Sequence, residues 1–307
     1  GSYSQRDLLA AFADHVVSFL DVDAVRPMRV VADTANGMGG LVVPAVLDRL
    51  PGVEYEVMFP ELDGTFPNHP ADPLRPENLT DLLELMDIER PDFGVAFDGD
   101  ADRAFFIDDR GVPLPGSTTT ALIADWFLNR EAGATIVHNL ICSKAVPERV
   151  TAAGGTPVRT RVGHSFIKQV MKETGAVFGG EHSGHYYFRD NYRADSGILA
   201  LLVLMQVISE DGRPLSELRA DYEPYAGSGE INYEVVDQEA ATAAVAAAFA
   251  DAAIDHLDGL TVDLGDRWFN LRPSNTEPKL RLNAEAPDAA AVDELVAAVA
   301  SIIEEGT

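Results

Sequence analysis

The stretch MRVVADTANGMGGLVVPAVLDRL, residues 28–50, gives the first clear indication of the fold. It begins with an apolar, β-branched run that ends at Asp33, continues through the glycine-bearing turn TANGMGG and then has the composition of a helix. The segment VEYEVMF, residues 53–59, follows as a second predicted strand. Because strand, glycine-rich turn, helix and strand in this order form a βαβ unit, we predict a parallel sheet here.

The order of predicted helices and strands divides the chain into three parts. We predict a first α/β domain over residues 1–112 and, because the order of elements then restarts, a similar second one over residues 113–222. Residues 223–307 have the order of a smaller domain built on an antiparallel sheet. The predicted fold class is α/β, with two similar three-layer α/β domains followed by a smaller α+β C-terminal domain.

The two ends of the chain carry specific helix predictions. An amphipathic helix is predicted over residues 3–20, where Leu9, Phe12 and Val16 recur at helical spacing. The segment 238–253 is also predicted as a helix, because it is rich in alanine, the residue with the highest helix propensity. The remaining C-terminal predictions are strands over 260–264, 267–271 and 279–285 and a helix over 288–304.

The charge of the chain restricts its partners. The formal net charge is −27, from 50 acidic and 23 basic residues. This excludes nonspecific nucleic-acid binding, which requires a basic face, and an anionic ligand needs local clusters of cations and amides. No apolar run is long enough to span a bilayer, so no membrane partner is expected. The single cysteine, Cys142, rules out an intrachain disulfide and favours a cytoplasmic location.

The segment FDGDADR, residues 97–103, places three carboxylates on a short loop after a predicted buried strand. They belong to Asp98, Asp100 and Asp102. Glycine and alanine between them let the backbone curl, so the carboxylates can converge on a hard cation such as Mg²⁺ or Ca²⁺. An EF-hand is excluded, since Arg103 and Asp109 stand where it requires glycine and glutamate. We favour Mg²⁺, because one short loop leaves coordination positions for a phosphate oxygen, with a solvated acidic turn as the alternative.

A second polar segment, GGEHSGHYYF, covers residues 179–188. It contains Glu181, His182, Ser183 and His185. A carboxylate and short polar groups among glycines suit the recognition of sugar hydroxyls, because the backbone can approach the ligand closely. An exposed polar turn is the alternative, and zinc bound by the two histidines would lack an evident third ligand.

A third segment, LRPSNTEPKLRL, residues 271–282, is rich in phosphate-binding groups. Its candidate residues are Arg272, Ser274, Asn275, Thr276 and Lys279. A guanidinium, hydroxyls, an amide and loop N–H groups together suit a phosphate, although a capped turn is the alternative. RTRVGHSFIKQ, residues 159–169, is a weaker cluster that contains His164.

The three segments DGDADR, GEHSGH and RPSNTEPKLR, in this order, resemble those of the α-D-phosphohexomutases. VADTANGMGG, VGHSFIK and GTFPNHPADPLRPENL (64–79) also resemble segments of that family, and the resemblance covers essentially the whole chain. It implies a phosphomannomutase or phosphoglucomutase activity that moves phosphate between C6 and C1 of a hexose. The implied ligands are a hexose phosphate, a hexose 1,6-bisphosphate and Mg²⁺, with mannose 6-phosphate favoured over glucose.

The resemblance also implies residue roles. Asp98, Asp100 and Asp102 would hold Mg²⁺, and Arg103 would contact a phosphorylated serine. Glu181 and Ser183 would bind sugar hydroxyls, with His164 and His185 near the reacting oxygens. The phosphate that does not react would be held by Arg272, Ser274, Asn275 and Thr276.

One feature of the family's pattern is missing from the printed residues. The family carries its nucleophilic serine in a Ser-His-Asn-Pro segment of a first domain, whereas the nearest match here, FPNHP (66–70), contains no serine. We therefore expect these residues to bind a sugar phosphate without turning it over. Two alternatives stay open: a noncatalytic sugar-phosphate-binding module, and a Mg²⁺-dependent phosphatase or phosphotransferase with an aspartate nucleophile.

Overall fold

The computed structural model of the chain describes residues 1–274 and 279–305. Its first sheet has the spatial order β2-β1-β3-β4, where the strands are β1 (Met28–Asp33), β2 (Val53–Met58), β3 (Phe93–Phe97) and β4 (Ala104–Ile107). β1 pairs in parallel with β2 and β3, as the βαβ pattern predicts, and β4 runs antiparallel to β3. The accompanying helices are α1 (Leu9–Val17), α2 (Gly39–Leu47) and α3 (Thr80–Glu89).

Helices cover both faces of this sheet. Val30 and Ala32 lie in one buried cluster with residues of α1 and α2. Val31 lies between them in the chain and packs on the opposite face, with Leu82 and Met86 of α3. Because neighbouring side chains of a strand face opposite sides, a strand covered on both sides must be apolar throughout. β3, with the sequence FGVAF, is buried at every position.

The second sheet repeats the arrangement of the first. It has the order β6-β5-β7-β8, formed by β5 (Thr135–Asn139), β6 (Thr156–Thr160), β7 (Phe178–Gly180) and β8 (Tyr186–Phe188). Again the first three strands are parallel and the last is antiparallel. β3 and β7 therefore occupy equivalent positions. The helices are α4 (Gly116–Leu128), α5 (Ala145–Ala152), α6 (His164–Thr174) and α7 (Gly197–Asp211).

Helix α7 is buried almost all round, because it lies in a core shared by both halves. Its apolar run 198–205 belongs to the cluster that includes α1, α4 and the first sheet. A helix that is apolar on every side requires such a position. Ser196 caps its start by accepting a hydrogen bond from the N–H of Leu199 (3.1 Å), and Gly212 ends it in the left-handed conformation.

The C-terminal part contains one antiparallel sheet. Its order is β10-β11-β12-β13-β9, with β9 (Ala226–Glu234), β10 (Ala253–Asp255), β11 (Leu260–Asp263), β12 (Trp268–Pro273) and β13 (Lys279–Ala286). The short helix α8 (Leu215–Leu218) precedes it, and α9 (Gln238–Ala248) and α10 (Ala289–Glu305) accompany it. The predicted fold class, two similar α/β units followed by a smaller unit with an antiparallel sheet, is confirmed.

Two local predictions differ from the structure, and one strand lies outside the predictions. The predicted helix 238–253 ends at Ala248, because Phe249 packs edge-on against Phe269 and residues 253–255 pair with β11 instead. The predicted helix 3–20 is confined to α1: within it only Ala13 and Val16 are buried, and a short helix needs a packed face. That strand is β9: its sequence, AGSGEINYE, begins with small residues and shows little apolar alternation, and pairing with β13 defines the strand.

Burial of His138 in β5 makes stability depend on pH. Burial lowers the pKa of His138 from 6.5 to about 4, so below pH 6.5 the unfolded chain binds a proton that the folded chain does not. Stability from the neutral imidazole is present above pH 6.5 and is lost as pH falls towards 4. We expect this loss, about 3 kcal/mol in total, to disappear from the urea-unfolding profile of H138N. The control is H256N: His256 is exposed, so this variant should keep the wild-type dependence of stability on pH. If H138N also kept that dependence, His138 would not be its source.

Candidate active site

Two equivalent strands deliver the two main polar loops. Asp98 follows the last residue of β3, and Glu181 follows the last residue of β7. The loops meet directly: the N–H of Ala104 donates to the carbonyl of Gly184 (3.1 Å), and Arg103 and His185 form an antiparallel bridge. The similar build of the two α/β units thus places the aspartate loop and the Glu181 loop side by side.

The aspartate loop gathers its carboxylates as the sequence predicts. One oxygen each of Asp98, Asp100 and Asp102 lies within 4.8 Å of the others. Asp98 is 3 % exposed and accepts hydrogen bonds from the Arg103 backbone N–H (3.2 Å) and Nε (2.7 Å). Arg103 therefore orients Asp98 from within the same loop. The turn passes through Ala101, which has a positive φ of 61°.

A neighbouring turn supports this loop from below. The N–H of Met38 donates to the carbonyl of Gly99 (2.9 Å), and a Cβ on Gly37 would lie 2.5 Å from that oxygen. The ring of Phe66 also lies next to Gly99, since a Cβ built there would be 3.1 Å from Phe66 Cζ. Gly37 is thus required for the close approach of two backbones, and the approach fixes the loop between Asp98 and Asp100.

The electrostatics of the loop favour a bound cation. Burial, followed by the charges of Asp98, Asp100 and Asp195, raises the pKa of Asp102 to about 7, and Arg103 opposes the rise only in part. Carboxylates that repel one another in this way are stabilised by a divalent ion. The hard oxygen donors fit Mg²⁺ or Ca²⁺, so the residues present suit a metal of that class.

Glu181 is held rigidly at the base of its loop. It is 2 % exposed and accepts hydrogen bonds from the Tyr187 hydroxyl (2.6 Å), the Asn139 amide (3.0 Å) and the Gly163 N–H (3.2 Å). Three donors fix the orientation of the carboxylate and leave it capacity for about one more hydrogen bond. Because Gly163 immediately precedes His164, the same carboxylate fixes the start of α6, where His164 is exposed.

Ser183 and His185 face the aspartate loop. The Ser183 hydroxyl lies 3.0 Å from His185 Nδ1, and His185 Nε2 lies 3.6 Å from an oxygen of Asp102. Burial lowers the pKa of His185, and Arg103 adds to this, while Glu181 and Asp195 oppose it. The imidazole therefore lies between the two loops. His182 points away, with Nδ1 3.0 Å from the Ser117 hydroxyl on α4.

The zinc alternative receives no support from the described residues. Within 1–274 and 279–305, the side chains close enough to share a metal form two groups, the three aspartates and the set Asp102, His185 and Asp195. His182 is in neither group. It lines a cavity of about 380 Å³ behind the loop instead.

Part of the predicted phosphate-binding segment is visible in the C-terminal sheet. Arg272, on β12, is 5 % exposed and pairs with Glu230 of β9 (3.2 Å). Burial lowers the pKa of the Arg272 guanidinium, and the negative charges of Glu230, Asp258 and Glu181 oppose this decrease. Glu181 is therefore close enough to Arg272 to interact with it electrostatically. The Ser274 N–H donates to the carbonyl of Lys279 (2.8 Å). Asn275 and Thr276 lie outside the described residues.

The structure adds residues that the sequence patterns did not reveal. Asp195 lies in the group with Asp102 and His185, and it pairs with Lys168 of α6 (2.8 Å). Asn139 ends β5, the neighbour of β7, and its amide orients Glu181. A rule that polar residues at the carboxyl ends of adjacent parallel strands converge would have found Asn139. Nothing in the sequence around Asp195 distinguishes it from a residue that precedes a helix cap.

Two α/β units of the same order and a smaller antiparallel sheet thus bring a carboxylate loop, a buried glutamate and a buried arginine towards one region. Sequence profiles of a single family match nearly all of this chain. They are the phosphoglucomutase/phosphomannomutase alpha/beta/alpha domain II over residues 10–111, alpha/beta/alpha domain III over 115–225 and C-terminal domain over 230–302. The chain belongs to the phosphoglucomutase/phosphomannomutase family.

Individual relatives agree with this assignment. The chain is 40% identical over 293 residues to a phosphomannomutase of Salmonella montevideo. The aligned region covers 93% of this chain and 64% of that relative. Its fold matches a phosphoglucomutase/phosphomannomutase family protein of Burkholderia thailandensis with a TM-score of 0.90 and 30% identity, over 100% of this chain and 66% of that one. A more distant structure is that of an Aspergillus fumigatus N-acetylphosphoglucosamine mutase in complex with GlcNAc-6P and magnesium. It matches with a TM-score of 0.69 and 17% identity, over 97% of this chain and 64% of that one.

The chain therefore spans just under two thirds of the length of these relatives. Among the described residues, no helix is both long and apolar enough to cross a membrane.

Proposed function

We propose that this chain provides the metal-, sugar- and phosphate-binding parts of a phosphohexomutase, an isomerase that moves phosphate between C6 and C1 of a hexose phosphate. One observation carries the proposal: the aspartate loop and the Glu181 loop are joined through Ala104 and Gly184, so that Arg103 and His185 are paired. Phosphoryl transfer depends mainly on positioning and on neutralising charge, and these two loops combine carboxylates, a guanidinium and an imidazole for that purpose.

Each group has a role in this proposal. Asp98, Asp100 and Asp102 hold Mg²⁺, which when bound neutralises charge on the transferring phosphate. Arg103, already oriented by Asp98, contacts the phosphoserine. Glu181 and Ser183 bind sugar hydroxyls, and His185 and His164 lie near the oxygens that exchange protons. The distal phosphate is held by Arg272, Ser274, Asn275 and Thr276.

The proposed ligands are mannose 6-phosphate and mannose 1-phosphate, with glucose phosphates as the second choice and a hexose 1,6-bisphosphate as the intermediate. Relatives named phosphomannomutase support the first choice. His182 is given no part in the choice of sugar, because its ring contacts Ser117 rather than the aspartate loop. A cytoplasmic location also belongs to the proposal, in agreement with the buried thiol of Cys142.

An aspartate nucleophile is disfavoured by the position of Asp98. Both of its carboxylate oxygens accept hydrogen bonds from Arg103, and the side chain is almost inaccessible. A nucleophile must reach the phosphorus atom in line with the leaving group, which these contacts oppose. Incubation with glucose 1,6-bisphosphate followed by mass spectrometry tests the point: an acyl phosphate on Asp98 would favour a phosphotransferase over the mutase.

The assignment of the three aspartates as the Mg²⁺ site predicts that neutralising one of them lowers the affinity for Mg²⁺. We expect D100N to weaken Mg²⁺ binding by about tenfold, because one of three converging carboxylates loses its charge. The variant E84Q removes one charge from the exposed side of α3 and should bind Mg²⁺ like the wild type. Isothermal titration with MgCl₂ measures both. Equal affinities in the two variants would show that the loop is not the metal site.

Ligand binding and turnover separate the remaining readings. We expect isothermal titration in the presence of Mg²⁺ to show binding of mannose 6-phosphate by residues 1–307, with no conversion to mannose 1-phosphate. Addition of a serine-phosphorylated first domain of a family member should produce conversion. Binding without conversion, even with that domain docked, would favour the noncatalytic module, and no binding would contradict the proposed function.

A further inference from the structure

The segment before α6 is held from two sides by carboxylates of different sheets. From the second sheet, Glu181 accepts the N–H of Gly163 (3.2 Å). From the C-terminal sheet, Asp258 accepts the N–H of Val162 (3.1 Å) through Oδ2. Two successive amides are thus fixed immediately before His164, and the position of His164 depends on both contacts.

Asp258 is itself placed by the strands that carry Arg272. It lies in the turn between β10 and β11, and its carbonyl accepts a hydrogen bond from the Asn270 amide (2.9 Å) on β12. The next residue, Gly259, has φ +71°, and a Cβ there would lie 2.5 Å from the Leu271 carbonyl oxygen and 2.8 Å from Arg272 Cα. The turn is therefore packed tightly against the backbone of Arg272, so a shift of one moves the other.

The surrounding contacts have complementary charge. Arg161 reaches Asp258 at 3.8 Å, and Arg159 forms an ion pair with Asp255. On the far side of the same interface, the Lys144 ammonium lies 2.9 Å from Asp263. Cations of the second α/β unit thus meet carboxylates of the C-terminal unit. Of these carboxylates, Asp258 is the one that also accepts a backbone N–H next to His164.

We propose that Asp258 is a positioning residue that couples Arg272 of the C-terminal sheet to the loop 161–164 that presents His164. The inference rests on the proposed function, because it takes Arg272 as the group that binds the distal phosphate. A sugar phosphate held at Arg272 then has a fixed spacing to His164 only while Asp258 accepts the Val162 N–H. Movement of the C-terminal sheet therefore also moves the loop beside Glu181.

Three variants separate this role from general stabilisation of the interface. D258A removes both the hydrogen bond to Val162 and the contact with Arg161. D258N keeps an oxygen that accepts the Val162 N–H but removes the charge. D255N is the matched control: Asp255 is the last residue of β10, just before that turn, and the substitution weakens the ion pair with Arg159 rather than a contact with residues 161–164. Melting temperatures show that each variant is folded.

Amide exchange tests the positioning without any ligand. We expect the Val162 amide to exchange about tenfold faster in D258A than in the wild type, because the oxygen that accepts its hydrogen bond is lost. D258N and D255N should stay within about threefold of the wild type. Equal exchange in D258A and D255N would overturn the proposal. Rapid exchange in D258N with intact folding would show that charge, rather than the hydrogen bond, positions the loop, and would also overturn it.

Titration with mannose 6-phosphate tests the coupling to Arg272. We expect D258A to bind about tenfold more weakly than the wild type, with D258N and D255N within about threefold. Faster exchange of Val162 together with unchanged affinity would overturn the coupling. If the wild type binds no hexose phosphate, the proposed function fails, and the exchange rates alone then decide whether Asp258 positions the loop.

Discussion

Replacement of Arg219 by alanine is expected to lower the free energy of unfolding by about 3–5 kcal/mol. Arg219 is 9 % exposed and pairs with Asp108 (2.9 Å) and Glu223 (2.9 Å). It also donates to the carbonyls of Val112 (2.9 Å) and Pro113 (3.0 Å). Its removal leaves a carboxylate that is 2 % exposed without its charged partner, and the cost of such a buried charge exceeds the value of the pair itself.

The effect of Arg219 should extend beyond one local contact. Asp108 and Pro113 belong to the turn that leaves β4, whereas Glu223 precedes β9, so one guanidinium ties together the segments that connect the three sheets. Urea unfolding of R219A measures the loss. R213A is the control, because Arg213 lies close by in the chain but makes exposed ion pairs with Asp211 and Asp221 and should change stability little. Equal unfolding midpoints for both variants would contradict the assigned role.

The second large effect is expected at Gly37. An alanine Cβ there would lie 2.5 Å from the Gly99 carbonyl oxygen and 2.9 Å from Gly99 Cα, distances that real Cβ atoms do not adopt. Relief of the clash must displace the backbone between Asp98 and Asp100. We expect G37A to weaken Mg²⁺ binding by at least about tenfold and to lower the free energy of unfolding by about 1–3 kcal/mol.

The control for G37A is available in the same region. A Cβ on Gly64 would meet nothing within 4 Å, so G64A should retain wild-type Mg²⁺ affinity. Isothermal titration with MgCl₂ compares the two. Wild-type affinity in G37A would mean that the aspartate loop does not need its backbone support, and the description of the loop as fixed by Gly37 would be wrong.

Much of the site could be predicted from the sequence because its parts are local. The spacing of Asp98, Asp100 and Asp102 on one loop required only a strand before it, and the structure brings those carboxylates together. The pairing of that loop with the Glu181 loop follows from the repeated order of the two sheets. The repeated order of helices and strands thus allows the pairing of the two loops to be predicted, whereas the spacing of the two motifs in the sequence does not.

Other features depend on packing that no local pattern encodes. The alanine-rich segment 238–253 has helix propensity throughout, yet its end is recruited into β10 by pairing with β11. The hydrogen bond between Asp258 and Val162 joins residues that are far apart in the sequence. The need for glycine at position 259 comes from the neighbouring strand, whose backbone leaves no room for a Cβ. The same holds for Asp195, which reaches Asp102 and His185 through the fold.

The central claim is that the aspartate loop and the arginine of the C-terminal sheet serve the two ends of one sugar bisphosphate. Paramagnetic ³¹P NMR tests it, with Mn²⁺ in place of Mg²⁺ as another ion for oxygen ligands and glucose 1,6-bisphosphate as the ligand. We expect one phosphate signal to broaden strongly and the other weakly in the wild type, and both effects to fall in D100N and in R272Q. Equal broadening of the two phosphates, or broadening that does not depend on Asp100 and Arg272, would contradict the claim.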